Sequence, residues 1–421
     1  MPKNTNAWLW IPTLYFASGL PYHAITSISD IMYKDMGISN TNIALYTSIL
    51  LIPWTIKPLW SPFVEIFGTR RNWTLYAQIA LSLCFAMVAL SVPSDNFLLL
   101  TLGAFMLGAF VSATHDIALD GFYILGLTQE KQSFFSGIRN TFYRIATVFS
   151  SGILVMLANW IGKQFGSDTI AWSATFATTA LIMAALFIYH KQMLPKPEKD
   201  TSLKTGGFSE VFNSFGDIIK TYFQKPGIWA TMLFLLLFRF PEAQLGKIGK
   251  LFLMDSITNG GLGLDKGDIG FINGIIGIIG LIIGGIAGGI CISRQGLKFW
   301  LWPMVIAISL PDAVYVYLSM TIPSNLTIIG SCVFIEQLGY GFGFTAYTLY
   351  MIYIAHGKYP TAHFAISTAF MSLGMMLPGM ISGKIQEWLG YENFFIWVMA
   401  CTSVTFIVSA LIKIDPKFGR K

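Results

Sequence analysis

The chain has 421 residues, 54% of them hydrophobic and only 11% charged. Soluble proteins carry about 25% charged residues, so this deficit, with a mean hydropathy of +0.62, points to a chain solvated largely by lipid. The net charge of +6 comes mostly from short loops between apolar runs, which is a topology signal and excludes a nucleic-acid-binding stripe.

Four cysteines, Cys84, Cys291, Cys332 and Cys401, lie singly inside apolar runs. With no CxxC pair, neither a zinc site nor a disulfide framework is expected, and no sequence feature calls for a cofactor.

Crossing about 30 Å of hydrocarbon takes about 20 residues of helix. Twelve runs meet this requirement: 8–31, 41–66, 73–92, 97–125, 134–158, 170–190, 228–254, 267–291, 299–320, 325–355, 361–383 and 391–413. The expected class is an all-α integral membrane protein, because lipid leaves backbone groups no partner outside a helix. The first run lacks a small-residue cleavage pattern and reads as a retained helix.

Span 1 carries Tyr15 and Tyr22 around SGLP, where Pro21 is expected to break the helix. Span 2 carries Lys57 and ends in Glu65, ahead of Arg70 and Arg71 in the next loop. Span 4 ends in ATHDIALDG, with His115, Asp116 and Asp120 in an otherwise uncharged segment. The two aspartates are four apart and share a helix face. Span 5 holds Arg139 and Arg144, five apart and so pointing differently. The polar stretch from His190 to Pro226 divides six spans from six. It is expected to tether two bundles, although GFSEVFNSFGDIIKTYF within it fits a surface amphipathic helix. The expected organisation is therefore 1–190, linker 191–227 and 228–421.

Span 7 is expected to break at RFPE, at Pro241, the same distance from its start as Pro21 is from the start of span 1. Arg239, Glu242, Lys247 and Lys250 there fall within roughly 140° on a helical wheel at about 100° per residue. Such a stripe faces the bundle interior. Paired interruptions point to a transporter's binding site, since broken backbone survives at that depth only beside protein or water. Asp312 in span 9 and Glu336 in span 10 complete the intramembrane charges, which are functional or tightly paired by default.

Lysines and arginines concentrate in one alternating set of loops, which makes that set, and both termini, cytoplasmic.

Three readings fit the charges of span 4. His115 and Asp120 have the spacing of a lipid acyltransferase dyad, in which a carboxylate orients a base. Asp120 and Glu65, with Arg70 and Arg71, fit a latch at a cytoplasmic gate. Asp116 fits a proton carrier or a staple paired with Lys57 or Arg139.

YFASGLPY in span 1, KPLWSPFVE ending span 2, SATHDIALDG in span 4 and YRIA in span 5 carry a resemblance. So, more loosely, does LGLDKGDIGFINGIIGIIGLIIGG at span 8. Together these segments resemble the AmpG-type muropeptide permeases and the related acetyl-coenzyme A transporters of the major facilitator superfamily. The resemblance implies twelve helices in two six-helix bundles. It also implies a proton-driven importer of N-acetylglucosamine–anhydro-N-acetylmuramic acid and its peptide forms, working in peptidoglycan recycling at the bacterial inner membrane. Carried over by position, the family's lysine falls on Lys57, its carboxylates on Asp116 and Asp120, and its arginine on Arg144. Two departures stand out: Glu65 replaces a usual Asp, and Arg239-Phe240-Pro241-Glu242 replaces a Lys-Leu-Gly-Asp core.

The resulting expectation is a symporter working by alternating access, with its site at the midplane between the two bundles. Arg144, Arg239, Lys247, Lys57 and Tyr22 are expected to bind an anionic small molecule. Glu242, Glu336 and Asp116 are expected to carry protons, and Asp120, Glu65, Arg70 and Arg71 to form the gate. No metal, cofactor or nucleic acid is expected, and the chain is expected to act as a monomer in the bilayer. A carrier of another anionic solute (acetyl-coenzyme A-like, amino sugar or siderophore) is the alternative. No loop ends in the Gly-Lys-Ser/Thr of a phosphate-binding motif, which argues against ATP-driven pumping.

Overall fold

A computed structural model describes residues 6–61, 64, 68–127, 129–196, 208–357 and 359–419, which are helical with no strand among them. Glu65 lies outside the described residues. Nine helical stretches among those described are long and apolar enough to cross a membrane. The last, Ala362–Leu411, turns at Gly390, where φ is 73° and ψ is 170°. Glycine alone adopts that conformation without strain, so this stretch is two helices, as the sequence predicts.

The first two expected spans are built from shorter pieces. These are α1 (Ile11–His23), a π-helical turn Ala24–Ile28 and α2 (Ser29–Asp35), then α3 (Asn40–Ile49), α4 (Ile52–Ile56) and a 3-10 turn Lys57–Leu59. The expected break at SGLP is not there: α1 runs through Pro21. Its small residues serve close packing instead. A Cβ at Gly19 would lie 2.8 Å from Ala146 Cβ and 3.0 Å from the Tyr143 carbonyl oxygen. The wide π turn, one helical turn later, takes up the irregularity.

By packing, the chain divides into two compact units, Met1–Met36 with Ile56–Val211 and Gly37–Thr55 with Phe212–Lys421. The first contains α5 (Arg70–Ser91), α6 (Phe97–Gly126), α7 (Gln129–Val148), α8 (Val155–Phe165) and α9 (Asp168–Met193). There α5 packs on α6 and α9, and α1 on α7. Trp10, fully buried, meets Phe122 edge-on at 5.4 Å.

The second unit contains α10 (Phe208–Phe223), α11 (Ile228–Leu237), α12 (Phe240–Met254) and α13 (Lys266–Phe271). It continues with α14 (Gly277–Gln295), α15 (Leu297–Ser309), α16 (Ala313–Thr321), α17 (Leu326–Ala355) and α18 (Pro360–Leu411). Both α3 and α12 pack on α18, and α14 and α15 pack on α17. The break at RFPE is present: α11 ends at Leu237, and Arg239 caps α12 with Pro241 in its first turn. Proline is tolerated there because its missing N–H would have no helical partner anyway. Within the stretch expected to be a tether, the segment that fits an amphipathic helix forms α10 and bonds to α18. Tyr359 donates to Asp217 at 2.7 Å, and the Tyr222 and Ser367 hydroxyls lie 2.9 Å apart.

Lipid supplies no hydrophobic drive for helices to associate, so small residues let backbones approach. Along α14, a Cβ at Gly280 would lie 2.7 Å from the Phe334 oxygen, and one at Gly284 would strike the Leu338 carbonyl. Large apolar side chains point outward instead: Leu90 is 81% and Leu181 70% exposed, as a lipid-facing surface requires.

Replacing Gly284 by leucine should lower thermal stability in detergent by about 1–3 kcal/mol, the usual range for overpacking. Gly289→Leu is the control, because nothing lies within 4 Å of a Cβ at that position. Equal melting of the two variants would show that α14 and α17 do not pack at this distance.

Candidate functional site

In the first unit, α6 presents Asp116 and Asp120 on one face. Ser18 of α1 donates to Asp116 at 2.7 Å, and the Tyr15 hydroxyl donates to Asp120 at 3.1 Å. Arg139 of α7 lies 3.7 Å from Asp120 and donates to the Tyr15 oxygen at 3.2 Å. Its guanidinium also sits 5.2 Å from the ring centres of both Tyr15 and Tyr123. One carboxylate, one hydroxyl and one cation thus close a ring of bonds, flanked by aromatic faces that favour the cation. Asp120 is 55% exposed and Arg139 33%, so the pair contributes at most about 1 kcal/mol to stability.

The residues assigned to the gate are placed as follows. Arg71 donates to the carbonyls of Leu194 at 3.2 Å and Lys191 at 2.8 Å. Arg70 lies along Gly121, where a Cβ would come within 2.7 Å of its Cδ and Nε. Asp120, beside Gly121 in the chain, is engaged by Arg139 from α7.

His115 is fully buried and belongs to a different network. It meets the Gln78 amide at 3.2 Å, Gln78 meets His190 at 3.0 Å, and His190 meets Thr13 at 3.0 Å. This polar chain ties α6, α5, α9 and α1 together. His115 and Asp120 are bonded to different partners, so the acyltransferase dyad is not formed.

The two arginines of α7 part company. Arg144, half-buried, has no hydrogen bond or ion pair with the described residues. It lies within electrostatic reach of the Tyr143 hydroxyl, as do Tyr22 and Asp116. Tyr22 packs edge-on against His23 at 5.1 Å, and His23 meets the Thr147 hydroxyl at 2.7 Å. Lys57 sits half-buried in the 3-10 turn, likewise without a side-chain bond to the described residues.

The second unit holds a tighter cluster. Arg239 Nε donates to Glu242 Oε2 at 2.6 Å and Nη2 to Oε1 at 3.0 Å, a two-pronged pair. Nη2 also donates to the Tyr340 hydroxyl at 2.6 Å, and the guanidinium lies 4.8 Å from the Phe344 ring centre. The two side chains are 9% and 12% exposed. Lys247, on the same helix, donates to Thr47 of α3 at 2.8 Å, and Lys250 is half-buried. Glu336 is buried on α17 and accepts from Gln337 at 3.0 Å. Asp312, 2% exposed, ends a 3-10 turn Leu310–Asp312 that follows α15.

Several participants were not singled out in the sequence: Ser18, Gln78, Tyr123, His190, Tyr340, Phe344 and Gln337. Asp30, fully buried on α2, was likewise not singled out. A charge deep in an apolar run was the available signal for Asp30 and, at the end of span 6, for His190.

A sequence profile of the Major Facilitator Superfamily matches residues 13–383. An anhydromuropeptide permease of Escherichia coli K12 is 26% identical over 395 residues, 92% of this chain and 76% of that protein. An uncharacterized protein of Haemophilus influenzae is 25% identical over 394 residues, 90% of this chain and 88% of that protein. The structure of a POT family transporter in complex with a thioalcohol-conjugated peptide superposes with a TM-score of 0.72. That superposition covers 95% of this chain and 94% of the other at 10% identity, a likeness of fold.

Removing one member of a buried ion pair strands the other, at a typical cost of about 3–5 kcal/mol. Glu242→Ala should therefore destabilise the protein strongly in detergent unfolding. Arg239→Met with Glu242→Leu should restore most of the loss. Additive effects of the two positions would show that the pair is not coupled.

Proposed function

Because the chain belongs to the Major Facilitator Superfamily, we propose that it is a proton-coupled carrier that imports anhydro-muropeptides for cell-wall recycling. The supporting observation is the extent of its similarity to the E. coli anhydromuropeptide permease, 26% identity over 92% of this chain. In this reading the protein sits in the bacterial inner membrane with both termini cytoplasmic, as its loop lysines and arginines imply. The chain is a carrier and not an enzyme.

The chemistry of the first unit agrees with such a cargo. Anhydro-muropeptides present carboxylates, and Arg144 is a half-buried intramembrane arginine with no bonded partner among the described residues. A guanidinium stays charged at any working pH and grips a carboxylate with two parallel hydrogen bonds. Lys57 supplies a second cation of the same kind, and Tyr22 offers a ring face to a sugar. Arg239 and Lys247 are the anion-binding groups of the second unit. Glu242, Glu336 and Asp116 serve proton coupling, and Asp120, with Glu65, Arg70 and Arg71, serves the gate.

Full-length protein in proteoliposomes should accumulate labelled N-acetylglucosamine–anhydro-N-acetylmuramic acid when an inward proton gradient is imposed. A protonophore should abolish accumulation. Hydrogen bonds to a charged group contribute about 1.5–3 kcal/mol, so Arg144→Ala should lower transport efficiency by about ten- to a hundredfold, with Arg144→Lys in between. Protonophore-insensitive uptake would overturn proton coupling, and normal transport by Arg144→Ala would remove Arg144 from the site.

A further inference from the structure

The buried carboxyl groups of the second unit fall into two classes. Glu242 has a guanidinium clamped across both oxygens. Asp312 and Glu336 have no such partner. Asp312 Oδ2 is buried and has no hydrogen bond. Ser309, three residues earlier on the same face, is likewise buried with an unbonded hydroxyl. Glu336 receives only the neutral amide of Gln337.

Packing brings together the segments that carry them. Glu336, Gly339 and Gly343 follow the i, i+3, i+7 pattern of one helix face. That face presses on the end of α15 and the turn after it. A Cβ at Gly339 would lie 2.7 Å from Pro311 Cγ, and one at Gly343 would lie 2.6 Å from Ile308 Cβ. Asp312 directly follows Pro311, and its electrostatic neighbours are Glu336 and Glu242. The Tyr315 ring, one turn on, lies within reach of Asp312, Glu336 and Cys332. Phe395 of α18 covers it at 5.3 Å. Glu242, their common neighbour, is held by Arg239, and Lys247 and Lys250 lie farther along α12, beside Gly249, which packs on Tyr315.

We propose that Asp312 and Glu336 form a carboxyl pair that holds one exchangeable proton between them, separate from the Arg239–Glu242 ion pair. Two adjacent carboxylates in a low-dielectric site repel and do not both ionise readily. One O–H shared with the neighbouring carboxylate relieves that repulsion and gives the orphaned oxygen a partner. The proton arrives from hydronium and leaves to water, taking the pair between charges of −1 and −2. The two groups then titrate as a unit. Only the assignment of this proton to coupling rests on the carrier reading; the pair itself rests on packing.

Infrared spectroscopy of the full chain in lipid tests this without any substrate, so its outcome is separable from that of muropeptide uptake. In sodium-free neutral buffer the unsubstituted protein should show the carbonyl stretch of a protonated carboxyl, and alkaline buffer should remove it. Asp312→Asn and Glu336→Gln each remove one member of the pair and leave the other with only the arginine-bound Glu242 as a carboxylate neighbour. In each the band should disappear at a proton concentration at least about tenfold higher than in the unsubstituted protein, because the repulsion is mutual. The double variant should lack the band. Two half-intensity losses with unmoved midpoints would overturn the pair, as would a band displaced by sodium. Absence of the band from the unsubstituted protein at neutral pH would overturn it even if the variants fail to fold.

Discussion

An ionised side chain in hydrocarbon must be bonded to a counter-charge, or it must reach water or a ligand. This constraint sorts the charges of the chain. Arg239 is paired, with Glu242 on two nitrogens, Tyr340 on one of them and Phe344 against its face. Arg139 is occupied by Asp120 and Tyr15 in a more exposed setting. Arg144 and Lys57 have no such partners among the described residues. A half-buried cation left in that state is stable only where something mobile can approach it. The carrier reading therefore leans on the unbonded cations more than on the bonded ones.

The same scarcity of water governs the backbone. Helix is obligatory in lipid, and departures from it occur where neighbours can absorb them. Three π turns, Ala24–Ile28, Phe149–Leu154 and Ile272–Ile276, interrupt otherwise apolar helices. The break before α12 places Arg239 at its start, and the turn after α15 places Asp312 at its end. Arg239, Glu242 and Asp312 thus sit where the helices are irregular, whereas Glu336, Lys247 and Lys250 lie within regular helix, and the long regular helix α14 uses glycine to approach α17. Irregular backbone and buried charge share a need for polar company, which explains their coincidence.

Element type, span number in the regular regions and the intramembrane charges were legible because each depends on composition over a local window. Pro241 marked a true break. Pro21 did not, because SGLP serves a contact with Tyr143 and Ala146, residues more than a hundred positions away, and nothing local reports that. The aromatic partners were hidden for a similar reason. A tyrosine in a membrane helix fills space by default, and what makes Tyr15 a ligand of Asp120 is a contact between residues 105 apart in sequence. His115 and Asp120 showed the opposite error: a familiar spacing within one helix, divided in space between two networks.

The Arg239–Glu242 pair constrains how any anion could use Arg239. Both Glu242 oxygens are held, and Tyr340 fills a further donor position. An incoming carboxylate can gain a two-pronged grip only by displacing Glu242 from the Nε and Nη2 edge or the Tyr340 hydroxyl from the Nη1 and Nη2 edge. Arg144 carries no such condition, since no carboxylate has to leave it first.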